Sequence, residues 1–384
     1  MVTTQTADNV LKSYYLDVVS DQLNKAANPL LAAIGQTSSD VWGRDVRKTV
    51  RYGVNGGVGA GTEEGALPKA SGNQYAQFVA TLKNLYGTIE ISDKAIRASQ
   101  SNDGAFVNLL NEEMDGLVKS SSFNFGRMLF GDGSGTLATV AANHGAYVSV
   151  DDVRNLAVGM IVDIYNDAGV RVASGKQITA IDAANKYVTF DDALLSTAKD
   201  YTICMQNSHN LEITGLGAIF SDSATLYGVK RSDNPWLKPY VKKQVGTITE
   251  EALQTAIDEV EEASGGRINF IVCSRGVRRA LIKALSEYRK NETMELEGGY
   301  RTVSFNGIPV LADRFCPAGT MYLINTDDFG LHQLCDWQWL EGEDGKILKQ
   351  IPGKPVYTAT LVKYAELLCY RPCGQAMLTG ITES

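Results

Sequence analysis

The sequence predicts an α+β chain in which extended segments and a small β-barrel-like unit precede an α/β region with a mixed sheet. Three observations lead there: a hairpin whose tip is dense in glycine, one amphipathic helix far longer than any other, and a run of short, evenly spaced strands ahead of a region where helices and strands alternate. The 384 residues suit about two to three domains of ordinary size.

Composition narrows the class. With 44% hydrophobic and 21% charged residues the chain can build a core, and wholesale disorder is excluded. The 36 Lys and Arg against 44 Asp and Glu leave a net charge of −8, which argues against a dedicated DNA reader, whose binding by counterion release requires a basic surplus. No window approaches the ~18 apolar residues of a membrane span. Met1 to Val10 is polar and lacks the basic-then-apolar profile of a secretory signal, so a soluble chain made in the cytoplasm is expected. Cys204, Cys273, Cys316, Cys335, Cys369 and Cys373 form no Cys-x-x-Cys and have no histidines beside them; they read as reduced, mostly buried thiols.

Residues 1–50 read as an N-terminal arm. Val10, Leu11, Tyr14, Tyr15, Val18, Val19 and Leu23 give one apolar helical face, and Asn28-Pro29 interrupts it. The stretch after Gly35 is extended and carries Trp42, Arg44, Arg47, Lys48 and Arg51. Such an arm has too little apolar area to fold alone and needs a surface to lie against. Residues 51–92 read as a long hairpin loop: strand-like Val46 to Tyr52, glycines at Gly53, Gly56, Gly57, Gly59, Gly61, Gly65 and Gly72, then strand-like Gln74 to Ser92. A projecting hairpin is marginal by itself and makes physical sense against another molecule.

Residues 93–145 hold the long helix. It starts near Ser101 or Asn102, repeats Phe106, Leu110, Met114, Leu117, Phe125 and Met128 by fours and threes, and stops at Gly131-Asp132-Gly133-Ser134-Gly135. Carried to Phe130 it would be roughly 42 Å long, a strut. Residues 146–207 read as the inserted barrel or sandwich, with turns at Asn166 to Gly169 and Asp182 to Asn185. Residues 208–340 read as mainly one α/β layer: Thr247 with Glu250 as a capping box, a helix through Leu253, Ala256, Ile257 and Val260 stopped at Gly265-Gly266, a strand at Ile268 to Cys273, a second helix through Val277, Leu281, Leu285 and Tyr288, and strands at Val303 to Leu311 and Met321 to Asn325. Residues 341–384 supply return strands, chiefly Val356 to Tyr370.

Catalytic signals are sparse. His144, His209 and His332 are far apart in sequence, and no His-Glu-x-x-His or His/Cys cluster has metal spacing. Ser196-Thr197-Ala198-Lys199 matches Ser-x-x-Lys and Ser232-Asp233-Asn234 its usual companion, but the Lys-Thr-Gly element is absent and Ser196 falls between strands. Neither glycine run precedes Gly-Lys-Ser/Thr or joins a strand to a helix N-terminus, so neither reads as a phosphate loop. The expectation is a non-enzymatic chain with no catalytic residues, cofactor or metal. Arg44, Arg47, Lys48 and Arg51, with Trp42 beside them, read as partners for a neighbour's carboxylates. Glu63 and Glu64 at the tip read as acidic partners for a basic surface. Asp258, Glu259, Glu261 and Glu262 read as a solvated helix face.

The order of parts, an arm, a glycine-tipped loop, a spine helix ended by Gly-Asp-Gly and an α/β region, resembles the major capsid proteins of tailed bacteriophages, the Hong Kong-97-type fold. Leu211 to Leu216, Leu226 to Trp236, Phe305 to Val310, Pro317 to Thr320 and Asn325 to Asp328 look like that family, and the likeness spans nearly the whole chain. It implies peripheral and axial domains, with 146–207 as an insertion, and a homo-oligomer of pentamers and hexamers enclosing packaged double-stranded DNA that it contacts non-specifically. It also implies portal, scaffolding and decoration proteins as partners, no membrane, and a virion location after synthesis in the bacterial host cytoplasm. With Met1 at the start and no long leading segment, scaffolding is expected from another protein. Some relatives crosslink through Lys and Asn; Lys69 lies near the loop as a contact candidate, without that chemistry being assigned to it. A protein nanocompartment shell of the encapsulin type is the alternative.

Overall fold

The computed structural model describes residues 28–39, 41, 43–94, 103–192, 197–287, 293–296, 300–342 and 345–384. The helical pattern from Val10 to Leu23 lies outside them. Asn28-Pro29, read as an interruption, starts a short helix, α1 (Pro29–Ala33), where proline's missing N–H has no intrahelical partner to lose. Leu30, Leu31 and Ile34 are buried in the main core, and β1 (Gly35–Thr37) pairs in parallel with a strand at Gly330 to His332. This part of the arm rests on its own chain, which corrects the expectation that the whole arm needs an outside surface.

Strands β2 (Asp45–Tyr52) and β3 (Gln74–Thr81) form a two-stranded antiparallel ribbon, registered from Asp45 opposite Thr81 to Tyr52 opposite Gln74. Gln74 to Ser92 is two strands, not one. The chain turns at Leu82, whose side chain is buried under the ribbon and whose N–H donates to Arg44 O at 3.0 Å, and β4 (Lys83–Ser92) leaves for another sheet.

The long helix is α2 (Asp103–Met128), 26 residues and about 39 Å. Met114, Val118, Phe125 and Met128 are buried along one face. Beneath it Gly87 leaves room for Leu117, since a β-carbon there would lie 2.9 Å from Leu117 Cδ1. After the glycine turn come β5 (Thr136–Asn143), β6 (Val148–Val150), β7 (Ile161–Tyr165), β8 (Arg171–Asp182), β9 (Tyr187–Phe190) and β10 (Thr202–Met205), closed in the order β10-β5-β6-β9-β8-β7. The barrel therefore takes its first strand from Thr136, ahead of the expected boundary at 146. Leu137, Ala138 and Val140 point into its core, so Thr136 to Asn143 pairs there rather than extending the helix region.

Two short elements follow, α3 (Leu216–Ile219) and the hairpin β11 (Thr225–Leu226) and β12 (Val229–Lys230), whose turn residues Tyr227 and Gly228 both have positive φ, 48° and 80°. Next come β13 (Tyr240–Lys242) and α4 (Glu250–Ser264). The cap of α4 is Thr249, whose side chain accepts from Ala252 N at 3.1 Å; Thr247 is two residues too early. Strand β14 (Phe270–Cys273), helix α5 (Arg275–Glu287), β15 (Thr293–Leu296), β16 (Tyr300–Phe305), β17 (Ile308–Ala312) and β18 (Met321–Ile324) continue the layer. The stretch Val303 to Leu311 is not one strand: Asn306 and Gly307, at φ 50° and 78°, make the two-residue turn of a hairpin.

Strand β19 (Phe329–Trp339), absent from the sequence reading, leaves that layer and joins β20 (Lys349–Gln350) and β21 (Val356–Cys369). Strand β22 (Ala376–Leu378) returns. The result is two mixed sheets. One has five strands, β1-β19-β21-β20 with β4 along β21; the other has seven, β13-β22-β18-β14-β17-β16-β15. Helix α2 covers the first sheet, and α4 and α5 pack on the second.

Buried charge marks the joints. Lys363 on β21 is fully buried, its ammonium 2.6 Å from Asp336 Oδ1, 2.7 Å from Gln333 Oε1 and 5.3 Å from the Phe125 ring of α2. Burial pulls its pKa below the ordinary lysine range, against the pull of Asp336. Arg127, at the end of α2, donates to Glu212, and both are buried. Glu212 belongs to the strap that leaves the barrel, residues 208–215. Its neighbour Gly215 sits against the last carbonyls of the helix region, where a β-carbon would lie 2.3 Å from Met128 O and 2.6 Å from Gly131 O. Gly215→Ala is expected to cost about 3 kcal/mol, whereas Gly72→Ala, in open space, stays within about 0.5 kcal/mol; urea denaturation of both variants checks the pair.

Candidate functional site

The feature that distinguishes this chain from a closed globule is the ribbon and its continuation. Period-two alternation gives the ribbon two different faces. Inward go Val46, Lys48, Val50, Ala76, Phe78 and Ala80. Phe78 is fully buried, its ring 5.2 Å from Tyr227 and 5.9 Å from Trp236, and Tyr52 stacks on Trp236 at 4.9 Å. This root also buries Leu237 and Leu368. Tyr227, seated by the β11–β12 turn, donates its hydroxyl to Leu367 O at 3.0 Å and accepts from Cys369 N at 3.1 Å, completing the edge of β21. Val79 N donates to Tyr227 O at 3.0 Å.

Outward go Arg47, Thr49, Arg51, Tyr75, Gln77 and Val79, all exposed. Arg47 stands opposite Val79 and Arg51 opposite Tyr75, so the two members of each pair leave the same face of the ribbon. Beyond Tyr52 the two limbs continue side by side without strand pairing. A β-carbon on Gly57 would lie 3.3 Å from Ser71 N, and one on Gly59 would lie 3.1 Å from Pro68 Cγ. The limbs close at Thr62 to Gly65, where Gly65 N donates to Thr62 O at 3.1 Å. Val54 and Val58 are 88% exposed and Leu67 is 91% exposed. The finger therefore presents apolar groups that nothing among the described residues covers.

The candidate contact residues fall into three groups. Arg44, Arg47 and Arg51 are exposed at the root and along the outer face; Arg44 reaches Asp45 at 3.9 Å. Glu63, Glu64 and Lys69 are exposed on the finger. Lys48 turns inward, its ammonium 5.3 Å from the centre of the Tyr370 ring, so it belongs to the root and not to the outer face. Trp42 lies outside the described residues. The sequence reading missed Tyr75, Val79, Trp236 and Tyr227; the alternation on β3 was the signal that could have found the first two.

The chemistry considered for catalysis is dispersed. Ser196 lies outside the described residues. Ser232 donates to Asp233 Oδ1 at 2.7 Å, and Asn234 accepts from Trp236 Nε1 at 3.1 Å, so that trio shapes the turn beside the ribbon root. His144 stacks on Tyr147, His209 stacks on Tyr165, and His332 is held by Tyr370 at 2.8 Å. No group of His, Cys, Asp and Glu among the described residues is placed to hold a metal. All six cysteines are unbridged; burial pushes Cys204 up to about 11 and Cys273 up to about 12, which keeps both as thiols at neutral pH. No helix among the described residues is long and apolar enough to cross a membrane.

No family model matches the sequence, and no curated protein matches it. Solved structures do. The chain superposes on the cyanophage A-1(L) capsid structure with a TM-score of 0.57 over 93% of each chain, at 12% sequence identity. Looser likenesses include the capsid of the native GTA particle, TM-score 0.47 and 12% identity over 93% of this chain and 91% of that one. The holo-SrpI encapsulin complex from Synechococcus elongatus PCC 7942 gives TM-score 0.46 and 11% identity over 93% and 89%. The chain thus has a capsid fold, the Hong Kong-97-type architecture that its order of parts implied.

The split between root and outer face has a direct consequence. Phe78→Ala is expected to destabilise the subunit by about 3–5 kcal/mol, because it empties the root. Arg47→Glu with Arg51→Glu is expected to change its stability by less than about 1 kcal/mol, because both side chains are exposed. Urea denaturation of the dissociated subunit measures both.

Proposed function

We propose that this chain is the major capsid protein of a tailed bacteriophage and that it self-assembles through pentamers and hexamers into an icosahedral or prolate shell around double-stranded DNA. The observation that carries the reading is the finger: an element anchored by a buried root in its own chain, with Val54, Val58 and Leu67 left in solvent. Exposed apolar groups on a projecting segment are satisfied by contact, and in a one-component lattice the contact is a sister subunit.

Charge supports the same direction of contact. Arg44, Arg47 and Arg51 lie within eight residues at the root and outer face, while α4 exposes Glu250, Glu251, Asp258, Glu259, Glu261 and Glu262 and contains no Lys or Arg. Copies repel where like meets like and attract where the ribbon faces an acidic surface, which favours head-to-tail over head-to-head encounters. Each contact can be modest, since a closed shell holds a subunit by several at once. Portal, scaffolding and decoration proteins, non-specific contact with packaged DNA, and division into peripheral and axial domains with an inserted barrel belong to this reading. The encapsulin-type compartment is the second reading; the long glycine-rich finger and the barrel weigh against it.

Deleting Gly56 to Gly65 is expected to leave the subunit folded and to abolish closed shells. Circular dichroism and negative-stain imaging of the deletion beside the intact chain read both outcomes. Normal particles from the deletion would remove the finger from assembly, and intact chain that stays a small monomer at high concentration would remove the shell reading itself.

A further inference from the structure

A line of polar side chains, half-buried at Lys48 and Tyr370 and fully buried at His332 and Glu366, runs from the ribbon to the strap that leaves the barrel. It begins at Lys48, over the Tyr370 ring at 5.3 Å. The Tyr370 hydroxyl is 2.8 Å from His332 Nε2, and Gly330 leaves space for it, since a β-carbon there would lie 1.9 Å from that oxygen. His332 stands directly opposite Glu366 in the β19–β21 register, so both side chains leave the same face of the sheet. His332 is 0% exposed and Glu366 is 1% exposed. Glu366 Oε1 accepts from Thr214 N in the strap at 2.6 Å and from Leu367 N at 3.0 Å.

We propose that Glu366 and His332 form a proton-sensitive joint that couples the seat of the ribbon to the strap of the barrel. The joint is a property of the single subunit and stands whether or not the ribbon is an assembly arm. Its two ends meet at two buried residues directly opposite each other in the register, Glu366 toward the strap and His332 toward the ribbon, so a charge that cannot be held dry there loosens both. Burial raises Glu366 to about 7, against the lowering effects of Thr214 N–H, Lys83 and Leu367 N–H. The groups facing Glu366 from the surrounding elements are Lys83 on β4, His332 on β19 with Tyr370 and Lys48 behind it, Tyr227 in the β11–β12 turn, and the Glu212–Arg127 pair behind the strap. The folded chain holds the Glu366 proton more tightly than the unfolded chain does. The stability this contributes is fully present below the ordinary glutamate range, near 4.5, and is lost as pH rises through about 7.

Hydrogen exchange of the isolated subunit tests the joint. After correction for the chemical exchange rate, amides of residues 74–81 and 211–216 are expected to open together, about tenfold more at pH ~8.5 than at pH ~6, with one midpoint near neutrality. Glu366→Gln keeps an acceptor for Thr214 and removes the charge, so both segments are expected to stay closed across that range. Separate midpoints for the two segments in the unmodified chain, no opening in either, or the same pH response in Glu366→Gln would each overturn the proposal. The first two outcomes are read without the variant, so the test survives a variant that fails to fold.

Discussion

A two-stranded ribbon has two faces and, without a second layer, can bury only one; every projecting feature of this chain follows from how that face is spent. Here Phe78, Val46 and Val50 go down onto Tyr227, Leu237 and Leu368, and the root behaves as part of the core. Past Tyr52 there is no further inward face to bury. Among the described residues, the finger is held by contacts between its own limbs, such as those near Gly57 and Gly59. Ordering a residue costs about 1–2 kcal/mol of conformational entropy, so a free coil of this length would bind a partner at a heavy penalty. Two limbs that already lie together and close at Thr62 to Gly65 reduce that penalty before any partner arrives.

The spine helix does not project in the same sense. Its length and amphipathic spacing mark it as a strut, and the structure shows what it braces. Its buried face, Met114, Val118 and Phe125, is satisfied by the five-stranded sheet beneath, and Gly87 is the position that lets it approach. What the helix adds is a rigid line along that sheet, met near its C-terminal end by two buried cations, Lys363 against Phe125 and Arg127 against Glu212. Neither pair need add net stability over an apolar packing, since desolvating each charge offsets much of the attraction. The Arg127–Glu212 pair makes another seating of the helix costly, because a shift would leave a buried charge without its partner, whereas Lys363 keeps Asp336 and Gln333 on its own sheet and would lose only the Phe125 ring.

Periodicity and turn chemistry made much of this legible before any coordinates. The alternation of β2, the four-and-three spacing of α2 and α4, and the stops at Gly131 and Gly265 were readable because each is a local cause with a local effect. Three things were not. Leu82 is an ordinary leucine in an extended run, and only the choice between two sheets makes it a corner. Strand β19 begins at Phe329, immediately after residues that read as a loop, and alternates poorly because its helix-side residues and its His332 side are both buried. The turn at Asn306-Gly307 was legible and was passed over, since the apolar residues on either side looked like one strand. Of the candidate contact residues, Arg44, Arg47, Arg51, Glu63, Glu64 and Lys69 carried their exposure in their chemistry. Lys48 did not: the aromatic ring it covers, Tyr370, comes from the far end of the chain.

Anchoring at one end and exposure at the other make the finger directional. In the proposed shell the finger of one copy meets a different patch of its neighbour. Such heterologous contact closes into a ring when the rotation between neighbours divides a full turn, and runs on as a filament when it does not. In the proposed shell, the angle of the finger to the sheet is therefore a determinant of closure. That angle is set at the root, by Phe78 and Tyr52 against Trp236 and by Tyr227 bridging the edge of β21. A few degrees of change there are amplified along the two limbs that continue beyond Tyr52. Small, buried side chains at the root can thus govern a contact they never touch, and the glycines of the finger then need only adapt its end to the surface it meets.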